Sequence, residues 1–178
     1  MQGDGHRVRD VRVHGGLESL PDMVEALEGD HAAAAKLVGD LLTLRRIVMA
    51  EACALVSRKP ANEREVLRAH VEAMANCIDD RATFALHDQA LTRAIMRLSG
   101  NVAFELTWNT VVSLADGRPE LTELLYADRE RLLLGVRALL ELLALGDADR
   151  TREVVRSALE GHDAAMVTDA VAKTHNTT

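Results

Sequence analysis

A chain of 178 residues with 48 % apolar and 28 % charged residues is long enough to fill one core and too apolar for disorder. Three prolines, 2 % aromatic residues and an abundance of Ala and Leu favour helices over strands, which draw on β-branched and aromatic side chains. A net charge of −7 excludes a nucleic-acid footprint spread over the main body.

In chain order, the opening MQGDGHRVRDVRVHGG differs in kind from the rest of the chain. Gly3, Asp4 and Gly5 make a turn, His6 to Val13 alternates basic with apolar as a short strand does, and Gly15 and Gly16 mark a hinge. A lone strand is unstable, so residues 1–16 are expected to be an arm that pairs elsewhere or the remainder of an upstream domain. From residue 17 to 174 the reading is helical. Ser19 as N-cap, with Pro21 and Asp22 in the first turn, starts a short helix that stops at Gly29. Asp30 caps a long helix running to about Ser57, where Lys59 and Pro60 break it. Further helices are expected over 62–78, over 81–98 (ended by Ser99 and Gly100), and from the Asn101 cap to about Ala115. Asp116, Gly117 and Pro119 form a break. A sixth, Leu-rich helix runs to Leu145, and a last one from Asp147 or Asp149 to about Ala172. The fold class is thus an all-α antiparallel bundle of six or seven helices. Cys53 and Cys77, among apolar helical neighbours, read as reduced core thiols. Neither a signal peptide nor a run able to span a bilayer is evident, so a cytoplasmic protein with no membrane partner is expected.

Three helices direct a polar group inward. On the segment LHDQALTRAIMRLSGN and the turn before it, Phe84, Leu91, Ile95 and Leu98 share a face, with Asp88 and Thr92 at its edge. A carboxylate beside a core needs a donor or a cation from another helix. On the long second helix, Leu37, Leu41, Leu44, Val48, Ala52 and Leu55 define an apolar arc with Arg45 near its middle and Arg46 at its margin. Arg45 then either forms an internal ion pair with a carboxylate such as Asp88 or binds an anion, whereas Arg46 reads as a solvated flank residue. On the last helix Val155, Leu159, His162 and Met166 form the buried stripe, with Arg152, Arg156, Glu160 and Asp163 directed away from it. His162 is either a satisfied core histidine or a ligand contact. Together the three groups have the makings of a small polar pocket inside a bundle.

Metal and enzyme signatures are weak. Helical metal sites use His, Asp or Glu pairs three or four residues apart, yet His70 faces Met74, His87 faces Leu91 and His162 faces Met166. No G-x-S-x-G, H-E-x-x-H or P-loop is present, and no Cys shares a face with a His.

The order of LLTLRRIVMAEACALV, the Asp88 segment closed by SGN, and RALLELLALGDADRTREVVRSAL resembles the C-terminal effector-binding domain (FCD type) of the FadR branch of the GntR superfamily of bacterial transcription regulators. The opening GDGHRVRDVRVHGGLESLPDMVEAL is similar to the second wing strand and linker that precede that domain. Many members hold a divalent metal with one Asp and three His. Asp88 matches the Asp, but the His positions carry Thr92, Val136 and Ala158, so the resemblance implies a metal-free member without a cofactor. It also implies that Arg45 meets a ligand carboxylate, and that His162 and Met166 occupy positions lining the acyl-CoA site of acyl-CoA-responsive members. The combined expectation is a ligand-sensing, homodimerising regulator domain. A small anionic metabolite, a carboxylate or acyl thioester, is met by Arg45, with Asp88 setting Arg45 in place and Thr92 and His162 supplying hydrogen bonds. Val136, Ala158 and Met166 form the wall. DNA contact then belongs to an N-terminal winged helix that this chain lacks. A ligand-free dimerisation module and a helical-bundle enzyme are the alternatives.

Overall fold

The structure is a computed structural model describing residues 15–27, 29–115, 123 and 125–175, with the side chains of His31, Leu114, Ala115 and 165–175 excepted. The expected strand-like arm, the break at 116–119 and the side chain of Met166 fall outside the described residues. The described residues form seven α-helices and no strand, so the all-α expectation holds. Chain contacts divide the protein into two units, Met1–Asp40 and Leu41–Thr178.

In the first unit a 3₁₀ turn, Leu17–Ser19, leads into α1, Leu20–Ala26. The expected hydroxyl cap at Ser19 does not form. Its backbone instead sits in the right-handed helical region as the end of the 3₁₀ turn, and its side chain makes no cap bond. Asp30 does cap the next helix: its Oδ1 accepts from the Ala33 amide at 3.0 Å. That helix, α2, is His31–Ser57.

The second unit is a bundle around the C-terminal half of α2. There Val48, Met49, Ala50, Ala52, Cys53, Ala54, Val56 and Ser57 are all buried, leaving only a narrow stripe at Ile47, Glu51, Leu55 and Arg58 at least partly open. A helix buried nearly all round is a central element, which the run of small residues Ala50, Ala52, Cys53 and Ala54 permits by letting neighbours approach. Helix α3 (Ala61–Asn76) and α4 (Arg81–Ser99) form a hairpin through the Cys77–Asp80 connection and pack along their lengths. Asp80 begins α4, accepting from the Ala82 and Thr83 amides at 3.1 and 3.2 Å. Gly100 ends α4 at φ 71°, a left-handed conformation that disfavours side chains. Asn101 starts α5, Val102–Ala115, by accepting from the Ala103 amide at 3.0 Å.

The expected single sixth helix is interrupted. Glu123 and Leu125 are helical, Tyr126 and Ala127 turn, and Asp128 caps a new helix, α6, Arg129–Ala144, through Arg131 N at 2.9 Å. Asp147 then starts α7, Ala148–His175, accepting from Arg150 N at 3.0 Å. Phe84, Leu67, Met74, Ile95, Met96, Leu143, Val56 and Cys53 make up the driest part of the core. Trp108 on α5 joins this cluster, its indole Nε1–H buried without an acceptor among the described residues. Cys53 is fully buried, which pushes its thiol up to about 12; Cys77, at the end of α3, is only partly covered.

Candidate functional site

Arg45 and Arg46 leave α2 in consecutive directions, and both reach one carboxylate on α7. Arg45 Nη1 donates to Asp163 Oδ1 at 2.8 Å and Arg46 Nη1 donates to Asp163 Oδ2 at 3.0 Å. Asp163 is 3 % exposed, while the Arg45 and Arg46 side chains keep 19 % and 23 % of their surface. Arg46 also donates to Thr43 Oγ1 at 3.0 Å. Each carboxylate oxygen thus has its own guanidinium, an arrangement stronger than two neutral hydrogen bonds.

Three expectations are corrected here. Periodicity directs Asp163 away from the buried stripe of α7, but it is buried at that stripe's margin, and it rather than Asp88 holds Arg45. Arg46, expected to be a solvated flank residue, shares the same carboxylate because its long stem carries its head back toward α7.

Asp88 finds a different partner. Phe84 and Asp88 are one turn apart on α4, so a side chain lying along that face can touch both. Tyr126 does so: its ring meets Phe84 edge-on, with centroids 6.1 Å apart, and its hydroxyl donates to Asp88 Oδ2 at 3.0 Å. The Tyr126 turn is itself tied down by Arg129, which donates to the carbonyls of Ile78 at 2.5 Å and Tyr126 at 3.3 Å. Asp88 retains some solvent access as a residue, yet packed atoms crowd its carboxyl group. That loss of water raises its pKa above the ordinary 3.8, opposed by the Tyr126 hydroxyl and then by the Arg45 charge. Burial likewise raises the Tyr126 phenol, with the Asp88 charge adding to it.

His162, half-buried next to Asp163, is held below its ordinary 6.5, first by burial and then by Arg45; Asp163 opposes this, Arg131 adds to it, and Asp128 opposes it. The charge of Arg45 acts on Asp88, Tyr126 and His162. Thr92 is buried, and Val136 is half-buried against the core. Ala158, expected in the wall of a pocket, is exposed. Sequence reasoning missed Tyr126 and Asp163 as members of this cluster. A cleft of about 290 Å³ runs beside α7 at Asp149, Arg152, Arg156 and Glu160, and one of about 100 Å³ lies at Arg64, Leu67, Leu140 and Leu143. Neither is lined by Arg45, Asp88 or His162.

Among the described residues no group of three or more His, Cys, Asp or Glu is placed to hold a metal ion. Asp88 has Thr92, one turn on, as a buried neighbour with a weakly ligating hydroxyl, while Val136 and Ala158 offer no donor atom. The residues at these positions do not fit a divalent ion.

The family model of the FCD domain matches residues 40–161, and the chain belongs to that family, the C-terminal, effector-binding domain of GntR-family transcription regulators. No curated protein matches the chain, and no solved structure does. No helix among the described residues is long and apolar enough to cross a membrane.

Proposed function

We propose that this chain senses a small organic anion, a carboxylate or acyl thioester, and does so without a metal. The observation that carries the reading is the arginine pair: two adjacent, partly exposed arginine side chains converge on one buried carboxylate inside the bundle. Guanidinium is the side chain best matched to a planar carboxylate. On this reading Arg45 and Arg46 hold the acid group, His162 and Thr92 give or take hydrogen bonds, and Val136 supplies apolar contact. The Asp88–Tyr126 pair keeps the far side of Arg45 negative and so orients it. The role is regulatory and not enzymatic.

Binding would bias the arrangement of the N-terminal segment, and DNA would be read by a winged-helix domain joined ahead of this one in a cytoplasmic regulator. The net charge of −7 supports assigning DNA to another domain. Homodimerisation belongs to the same proposal. Leu86, Leu106 and Leu134, each more than 60 % exposed, give apolar surface for it, and sedimentation of the purified chain tests it.

A thermal-shift screen against organic acids and acyl-CoAs, with and without Zn²⁺, tests the sensing role. Stabilisation by an acid, lost in Arg45→Ala, is expected. Stabilisation by Zn²⁺ alone, surviving Arg45→Ala, would reject this pocket.

A further inference from the structure

We infer that Arg129 is a positioning residue of the proposed anion site: by gripping the carbonyls of Tyr126 and Ile78 at once, it holds the Tyr126 hydroxyl on Asp88 and, through Asp88, the setting of Arg45. The inference rests on the proposed site and names the residue that fixes its far side.

The first support is what the guanidinium joins. Arg129 Nε donates to the Ile78 carbonyl at 2.5 Å and Nη1 donates to the Tyr126 carbonyl at 3.3 Å. Ile78 stands just past the end of α3, where a cation also faces the negative end of the helix. Asp80, the cap of α4, is held below its ordinary 3.8 first by the Thr83 hydroxyl, with the charge of Arg129 adding to it. One side chain thus spans the α3–α4 connection and the turn before α6. A planar fork does so at little further loss of freedom, because its donors are fixed relative to one another.

The second support is what those two places carry. Asp88 lies about two turns along α4 from Asp80. Tyr126 is the residue whose hydroxyl reaches it, at 3.0 Å. Arg129 therefore holds both members of that hydrogen bond, Tyr126 through its own carbonyl and Asp88 through the start of its helix. The third support is the turn itself. Tyr126, Ala127 and Asp128 include neither Gly nor Pro, so no residue there presets the backbone and a contact from elsewhere has to hold it.

The test uses the full chain, which has one tyrosine, so ultraviolet absorbance reads this phenol by itself. Burial raises the phenol above its ordinary 10, with the Asp88 charge adding to this and the Arg45 charge opposing it. In Arg129→Gln, checked for helicity by circular dichroism at each pH, the absorbance step is expected at least about one pH unit lower than in the unaltered chain, because the freed ring meets water and leaves Asp88. A guanidinium that served stability alone would change the melting temperature and leave the step of the folded protein in place. Sodium succinate and sodium octanoate, at constant ionic strength, then probe the site. Arg129→Gln and Tyr126→Phe are each expected to raise the half-saturating concentration of the better probe by about threefold or more, and the double variant no further, since both remove the same contact.

An unchanged absorbance step in folded Arg129→Gln overturns the positioning role whatever the probes do. If the step falls but probe binding, itself lost in Arg45→Ala, is unchanged, or if the two effects add in the double variant, the link from Arg129 to the anion site is overturned while that site stands. If neither probe acts on the unaltered chain, the anion site is overturned and the role of Arg129 at it with it. Should Arg129→Gln fail to fold, Arg129→Lys takes its place in both measurements, keeping the charge at the end of α3 with one nitrogen in place of the fork.

Discussion

Removing the Asp163 carboxylate leaves two guanidiniums facing a space from which most water is excluded. Asp163→Ala is expected to cost about 3–5 kcal/mol, the range for breaking a buried ion pair from one side, read as a lower urea midpoint at unchanged slope. Arg46→Ala should cost less, because Arg45 still pairs the carboxylate.

The titrating neighbours give a signed pH dependence. Asp88 has a raised native pKa, so the native state takes up the proton first, and stability is gained as pH falls through that value toward the unfolded 3.8. Asp88→Asn keeps an oxygen for Tyr126 and is expected to raise the melting temperature at neutral pH and to remove that gain. His162 has a lowered native pKa, so the unfolded chain takes up the proton first, and stability is lost as pH falls from 6.5 through the lowered native value. His162→Gln should flatten this loss; melting temperatures taken across roughly pH 4–8 check both signs.

At this scale the sequence was legible where a polar residue interrupted an apolar face, as at Arg45, Asp88 and His162. It was not legible where a partner stood at the margin of a stripe. Asp163, one residue from His162, falls by periodicity on the side of α7 away from the stripe, and only the reach of α2's arginines shows it to be buried.

Single caps decide where the helices begin. Asp128 accepts from Arg131 N at 2.9 Å from a solvent-exposed position, so its contribution is local. Asp128→Ala is expected to cost about 1 kcal/mol, seen as a lower thermal midpoint followed by circular dichroism. The capping chemistry at Asp30, Asp80, Asn101, Asp128 and Asp147 follows one rule, an Asp or Asn oxygen taking an amide proton of the first turn. Four of these starts were readable. Asp128 was not, because the turn at Tyr126 and Ala127 contains no Gly or Pro to break the apolar pattern; Arg129 fixes it instead through the carbonyls of Ile78 and Tyr126. Ser19 failed in the opposite sense, carrying a good capping side chain on a backbone already committed to a 3₁₀ turn.

Across the bundle, α2 and α7 are joined at two places by charges of opposite order. Arg152 of α7 donates to Glu51 of α2 at 2.6 Å, whereas Asp163 of α7 accepts from Arg45 and Arg46 of α2. The later residue on α7 thus meets the earlier residues on α2, which sets the two helices antiparallel. Sliding or reversing α7 would bring like charges together, so this pattern selects the register as well as adding stability. The fold class was readable from composition because few aromatic residues and few prolines, with an abundance of Ala and Leu, favour helices over strands. The central position of α2 was not, since its wheel suggested an arc with one polar side and only assembly shows neighbours covering it.

Trp108 is the sole tryptophan of the chain, and its indole is enclosed by core side chains with an N–H that no described residue accepts. The protein therefore carries a single built-in optical gauge. Its emission should lie well to the blue while the interior is intact and move to the red in one step with urea. A red emission under native conditions would show that the interior around α5 is wet.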